Sequence, residues 1–198
     1  MNCYKKGPKT MTEPIYTVFF SSRNKDNADL ENFTPRTRTF LSRYANHTEL
    51  DPNVKHQFDD FVKQGVDGEL SRWYVSINPA DPTKVNNSLM HYLIDHQDAT
   101  PIQVQSKLIS FANKPQNLAT HRWLLDCDTS DHNRFLEILH WLTNHNVSIK
   151  QYKPTKSGYA IVTEHGFDTR EFLEKFPEVE NKKESDLLIT YTQNKKEA

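Results

Sequence analysis

Apolar residues recur along the chain with two spacings, and the two spacings predict different elements. Apolar runs that alternate with polar residues, or that are rich in β-branched and aromatic residues, predict strands. They cover residues 15–20, 73–77, 121–127, 147–152, 159–163 and 187–191. Apolar residues three or four positions apart predict helices that begin near residues 51, 81, 101, 131 and 168.

The order of the elements is clearest between residues 121 and 191. This segment runs strand, helix, strand, strand, helix, strand, which is the order of a split β-α-β unit of the ferredoxin or RRM type. Residues 153–158 contain Pro154 and Gly158 and predict a hairpin turn between its second and third strands. The sequence therefore predicts an α+β fold, in which the N-terminal strands and helices pack on this unit or extend its sheet.

We expect one domain over residues 14–192, with an N-terminal portion at 14–115 and the split β-α-β core at 121–191. Residues 1–13 are predicted to be a flexible tail, and residues 193–198 a second tail. A chain of 198 residues is long enough to bury a core without covalent staples.

The net charge limits the kinds of partner that the protein can attract, and the cysteine content indicates the redox state of its compartment. The formal net charge is −1, so a nucleic-acid partner requires a local basic patch and not a global field. The two cysteines, Cys3 and Cys127, do not form a disulfide framework, which favours a reducing compartment. No apolar run approaches the ~20 residues that span a membrane. We therefore expect a cytoplasmic protein without a membrane partner. The sequence makes no prediction of the oligomeric state.

Asp126 and Asp128 follow the apolar run of the first core strand. Because they are two residues apart on a strand, both side chains point to the same face. Carboxylates at such short range repel each other unless a cation or hydrogen-bond donors lie between them. Their oxygen atoms suit Mg²⁺ or Mn²⁺. The pair is a candidate metal site, although an aspartate at a strand end also commonly caps the next helix.

The split β-α-β order predicts neighbours for this aspartate pair. Its first strand is antiparallel to the third and fourth, so the end of the first strand lies beside the starts of both. We therefore expect Lys153, Lys156 and Ser157 of the hairpin turn to contact phosphate there, and Asp186 to be a third acidic ligand. The three aspartates are the candidate catalytic residues of a metal-dependent phosphoryl transfer.

Three short motifs here are similar to those of the archaeo-eukaryotic primase superfamily, whose catalytic core is RRM-like. Trp123-Leu-Leu-Asp126-Cys-Asp128 resembles its D-x-D motif, residues 156–162 its small-residue motif, and Ser185-Asp186-Leu187 its third acidic motif. The resemblance covers about a third of the chain. It implies a nucleotidyltransferase that uses Mg or Mn and acts on nucleic acid or nucleotides.

One position departs from that family. Ala160 stands where the resemblance requires a nucleotide-binding histidine, which implies that nucleotide handling is altered or lost. The run from Gly158 to Arg170 also looks like small uncharacterised phage proteins. That second resemblance implies the cytoplasm of a host cell.

Two N-terminal segments are candidate nucleic-acid contacts. Arg36, Arg38 and Arg43 lie among aromatic residues, and guanidinium groups bind backbone phosphates. A solvated helix face explains the same pattern. Arg72 and Tyr74 flank Trp73 on a predicted strand, where they form either a stacking surface or part of the core.

Two functions therefore compete. The first is a primase-like, metal-dependent protein that acts on nucleic acid or nucleotides. The second is a non-enzymatic module that binds RNA or DNA through its arginines and aromatic residues, or that inhibits a host protein. Ala160 in place of histidine favours the second.

Overall fold

A computed structural model describes residues 13–43 and 52–195 of the chain. These residues form two four-stranded antiparallel sheets and six α-helices. The predicted α+β class is confirmed. Residues 1–12 of the predicted N-terminal tail, the predicted helix start at Asp51, and residues 196–198 lie outside the described residues.

The first sheet is built mainly by the N-terminal half. Its strands are β1 (Tyr16–Ser22), β2 (Arg36–Ser42), β3 (Leu70–Ser76) and β8 (Asp186–Gln193), in the order β2-β1-β3-β8. The short helix α1 (Asn24–Asn27) follows β1, and α2 (Pro52–Lys63) packs on one face of the sheet. Phe20 and Trp73 from the sheet meet Phe58 and Phe61 from α2 in this core.

Two further helices cover one end of the opposite face of this sheet. They are α3 (Pro82–Asp95) and α4 (Pro101–Ala112), followed by a 3-10 turn at Pro115–Asn117. Asp81 caps α3 by accepting from two backbone N–H groups, as a strand-to-helix Asp-Pro step predicts. Val85 and Phe111 pack with Leu41 of β2, which anchors the helix pair.

The second sheet is the predicted split β-α-β unit. Its strands are β4 (Trp123–Cys127), β5 (Ile149–Pro154), β6 (Tyr159–Thr163) and β7 (Val179–Lys183), in the order β5-β6-β4-β7. The helices α5 (His132–Asn144) and α6 (Arg170–Lys175) cover one face. Leu125 and Ile161 of the sheet bury against Phe135, Ile138 and Phe172 of the helices.

The last strand of this unit was predicted in the wrong place. We expected residues 187–191 to complete the second sheet, but β7 occupies that position and β8 joins the first sheet. Residues 179–183 read VENKK and hold one apolar residue, because β7 is an edge strand exposed on one side. An edge strand of this kind carries no hydrophobic period from which it could be predicted.

Two other expectations need correction. The segment with Arg36 and Arg38 is strand β2 and not a helix face. Residues 193 and 194 are not part of a tail, since Gln193 ends β8 and the buried Asn194 donates to the carbonyl of Gly65 at 3.0 Å.

The two sheets pack together through β8. Leu187 of β8 and Ile77 lie in one buried cluster with Leu124, Ala160 and Val162 of the second sheet. A bulge at Ile189 interrupts the β3–β8 ladder. Across the sheet interface, Lys153 Nζ donates to the Ile189 carbonyl at 2.7 Å.

Membrane-spanning helices are absent from the described residues, since no helix there combines the length and the apolar character that a span needs.

Candidate functional site

Asp126 lies on the face of the second sheet that packs toward β8, and a lysine neutralises it. Lys182 Nζ lies 2.5 Å from Asp126 Oδ2 and 3.1 Å from Glu180 Oε2. Burial would lower the pKa of Lys182, but the hydrogen bonds and charges of Asp126 and Glu180 raise it above its ordinary value. The ammonium group therefore stands where a metal ion would balance Asp126.

Asp128 is exposed and lies just beyond the end of β4. Its backbone N–H donates to the Glu178 carbonyl at 3.0 Å. The hairpin turn lies on this same edge, because a Cβ added to Gly158 would come within 2.0 Å of the Cys127 carbonyl oxygen. Lys156 and Ser157 are exposed in that turn. The turn is thus beside Asp128, as the strand order predicts.

Asp186 does not join this group. Successive side chains on a strand point to opposite faces. Leu187 points toward the second sheet, where it packs with Leu124 and Ala160. Asp186 therefore points away, to the far face of the first sheet, where it lines a cavity with Phe19 and Asn113. The expectation that Asp186 converges with Asp126 and Asp128 is wrong, because β8 belongs to the other sheet.

The ammonium group of Lys153 is already occupied by a contact with β8. Lys153 is partly buried, and its ammonium group donates to the Ile189 carbonyl, so that it ties β5 to β8. Burial lowers its pKa below the ordinary lysine value. In the described residues, no group of three or more His, Cys, Asp or Glu side chains has an arrangement suited to a metal ion.

Ala160 lies where the sheets meet. Its side chain is 3% exposed and belongs to the buried cluster with Leu187 and Ile77. A small side chain is required there because β8 covers this part of the sheet. The surface on which the resemblance places a nucleotide-binding histidine is thus filled by another strand.

The three N-terminal arginines differ in their surroundings. Arg36 pairs with the buried Glu69, donates to the Phe61 carbonyl at 3.0 Å, and lies 4.4 Å from the centroid of the Phe61 ring. Arg38 is exposed and donates to Gln57 Oε1 at 3.0 Å. Arg43 is exposed just after β2. Arg36 is therefore part of the core packing, whereas Arg38 and Arg43 remain on the surface.

An aromatic pair lies on the two central strands of the first sheet, on the face opposite α2. Phe19 of β1 and Tyr74 of β3 are directly paired across the strands. Their ring centroids are 6.0 Å apart and their planes meet at 39°. Both rings are partly exposed, and neither belongs to a hydrophobic cluster of the described residues.

The strand register extends this pair into a surface that we call the aromatic face. One row across the four strands is Thr39, Phe19, Tyr74 and Leu188, and the next is Thr37, Ser21, Arg72 and Tyr191. Tyr191 is 46% exposed. The helices α3 and α4 cover the neighbouring end of this side of the sheet, around Leu41. The first row stays partly exposed, whereas Ser21 in the second row is buried.

A cluster of charges borders the aromatic face. Arg72 and Arg23 both pair with Asp26, whose side chain is only 7% exposed. The cluster carries one net positive charge, because two guanidinium groups share one carboxylate. Arg72 Nη1 also lies 3.4 Å from the Tyr74 hydroxyl, so the positive charge adjoins the ring.

The sequence indicated only part of this face. Arg72 and Tyr74 alternate with the buried Trp73, and this period-two pattern separates the two faces of β3. Phe19 was missed because residues 15–20 are almost entirely apolar, so no alternation shows which ring is buried. Phe19 is identified only from the β1–β3 strand register, in which it pairs with Tyr74.

Comparison of the chain with protein-family models, with curated protein sequences and with solved structures finds no match.

Proposed function

We propose that the protein binds single-stranded nucleic acid on the aromatic face of its first sheet, without a metal-dependent reaction. Phe19 and Tyr74 stack on successive bases, and the Arg23–Asp26–Arg72 cluster attracts the phosphates beside them. The observation that carries this proposal is the direct pairing of the two partly exposed rings on adjacent central strands.

Exposed rings on a sheet suit unpaired bases because every base has a flat π-face. Base–aromatic stacking contributes about 1–3 kcal/mol per base. Four-stranded antiparallel sheets with aromatic side chains on their central strands are a known way to bind two or three bases of single-stranded RNA. A duplex keeps its bases stacked inside, so it offers these rings no partner.

The geometry supports this function better than metal-dependent phosphoryl transfer. Asp126 already pairs with Lys182, and Asp186 lies on the other side of the first sheet. Ala160 is buried between the sheets. The two rings of the aromatic face, by contrast, are partly exposed and border a positive cluster.

The test is binding of fluorescently labelled single-stranded octamers of mixed sequence, RNA and DNA, followed by anisotropy at low salt with EDTA. We expect Phe19→Ala and Tyr74→Ala each to weaken binding by about 10-fold, since each removes one stacking partner. Tyr152→Ala is the matched control, because Tyr152 is 57% exposed but lies on the second sheet.

The result that would overturn the proposal is equal affinity of the wild type, Phe19→Ala and Tyr74→Ala, or binding that requires Mg²⁺. A matched duplex should bind more weakly than either single strand. The number of positive charges on the face is small, so we expect binding to weaken only modestly with salt. Inhibition of a host protein, the other role considered for a non-enzymatic module, stays a prediction.

A further inference from the structure

A cavity of about 310 Å³ opens beside Phe19 on the same side of the sheet. Phe19 and Leu118 supply apolar walls, while Asn113, Ser185 and Asp186 supply polar ones. A base that stacks on Phe19 can therefore direct one polar edge into this cavity. In this cavity a carboxylate, an amide and a hydroxyl group lie around an aromatic wall.

Asp186 is the candidate acceptor in the cavity. It begins β8, and its backbone pairs with Ser76. Two neighbouring amide groups are occupied, since Asn113 Oδ1 accepts from Thr17 Oγ1 and Asn78 donates to the Arg122 carbonyl. No cation or donor of the described residues pairs with the Asp186 carboxylate. Its oxygen atoms are thus free to accept from a ligand.

The connection that positions Asp186 has an unusual backbone. Glu184, between β7 and β8, has a φ of 52°, which lies in the left-handed region that residues other than glycine seldom adopt. The turn lets the chain pass from the second sheet to the first within two residues. It sets Glu184, Ser185 and Asp186 along one wall of the cavity.

We infer that this cavity selects guanine, with the Asp186 carboxylate accepting from N1–H and the N2 amino group while the base stacks on Phe19. The inference rests on the proposed function and names its base preference. No covalent step is involved.

The choice of guanine follows from the donor pattern of the bases. On its pairing edge guanine presents two adjacent donors, N1–H and the N2 amino group, which match the two oxygen atoms of one carboxylate. Adenine and cytosine each present one amino donor beside an acceptor nitrogen, and uracil presents one N–H between two carbonyl groups. A lone carboxylate therefore makes two hydrogen bonds only with guanine, and a bidentate contact is the geometry that best separates bases.

The environment of Asp186 agrees with this role. Asp186 is an exposed residue on the wall of the cavity, and partial desolvation of its carboxyl group by that wall raises its pKa above the ordinary value. Glu184, which also lines the cavity, adds a second acidic group, and His121 lies 3.7 Å from it on the outer side.

The experiment uses the full chain and four labelled octamers of uridine that carry G, A, C or U at one central position. We expect the wild type to bind the G octamer about 10-fold more tightly than the other three, from the value of one bidentate contact. Asp186→Asn should abolish this difference and leave the affinity for the all-uridine octamer within about twofold, because stacking remains. Glu184→Gln, on the same cavity wall, is the matched control and should keep the preference.

The inference is overturned if the wild type shows no preference for G, or if Asp186→Asn retains it, or if Glu184→Gln loses it while Asp186→Asn does not. These results leave the proposed function standing, because they concern preference and not overall binding. A Phe19→Ala variant that binds every octamer about 10-fold more weakly and still prefers G would support both. Failure of the wild type to bind any octamer would end both proposals.

Discussion

At the scale of single residues, burial decides what a charge does in this protein. Arg36 and Glu69 show this most clearly, since the Glu69 side chain is 2% exposed and that of Arg36 is 24% exposed. Burial alone would raise the pKa of Glu69, but hydrogen bonds from Arg36, Ser22 and the Val66 backbone hold it below its ordinary value. The pair therefore stabilises the fold at neutral pH, and this contribution is lost as pH falls through the lowered pKa.

Arg36→Ala should lower the free energy of unfolding by about 3–5 kcal/mol at pH 7, because it leaves Glu69 buried and unpaired. Urea denaturation followed by circular dichroism measures the loss. Arg38→Ala is the control on the same strand and should change stability by no more than about 0.5 kcal/mol, since Arg38 is exposed. Equal losses in the two variants would contradict the structural role of Arg36.

At the scale of elements, strands β4 and β7 place two carboxylates, those of Asp126 and Glu180, beside the ammonium group of Lys182. Asp126 pairs with Glu180 across the strands, and Lys182 bridges both carboxylates. The Mg²⁺ or Mn²⁺ site expected at Asp126 and Asp128 stays a prediction. A metal ion there would have to displace the Lys182 ammonium group.

Removal of that lysine tests the metal site directly. If Asp126 and Asp128 bind metal, Lys182→Met should strengthen Mn²⁺ binding by about 10-fold, because one competing positive charge is gone. Electron paramagnetic resonance of free Mn²⁺ measures the affinity. Lys183→Met is the control, since Lys183 lies over the Trp123 ring at 4.6 Å and not beside Asp126. Unchanged Mn²⁺ binding in Lys182→Met and in Asp126→Asn would exclude the pair as ligands.

At the scale of the whole molecule, β8 joins the two halves. The chain completes the second sheet with β7, crosses through residues 184–185, and then closes the edge of the first sheet beside β3. Its two sides serve different purposes. Leu187 fills the interface between the sheets, whereas Asp186 and Leu188 face the cavity and the aromatic face.

Leu187→Ala should therefore lower the free energy of unfolding by about 2–5 kcal/mol, because it opens a cavity between the sheets. The adjacent Leu188→Ala removes the same atoms from a partly exposed position and should cost clearly less. Because β8 ties the sheets together, circular dichroism and tryptophan fluorescence should report one coincident transition in urea for the wild type. Two separate transitions, or equal losses in the two leucine variants, would contradict this view of β8.

The sequence predicted helix starts and helix faces best, because these features depend on a few residues close together in the chain. Asp81 caps α3 and Asp131 caps α5, near the helix starts that the pattern predicts, and α5 buries Phe135, Ile138 and Leu142 at helical spacing. The order β5-β6-β4 also follows from the run of elements and the hairpin turn. The helix caps and the helical spacing depend on neighbours within about a dozen residues, so pattern alone predicts them. The strand order follows from the sequence of elements, which matches a known motif.

Only the tertiary structure decided which sheet β8 completes, and with it the surroundings of every candidate site residue. Leu187 lies four residues after Lys183, the last residue of β7. The apolar pattern of residues 187–191 fits an edge of either sheet. Asp126-Cys-Asp128 was evident in the sequence, but its pairing with Lys182 and its distance from Asp186 follow from that choice of edge. The pairing of Phe19 with Tyr74 joins residues 55 positions apart through strand register, a long-range contact that no local pattern encodes.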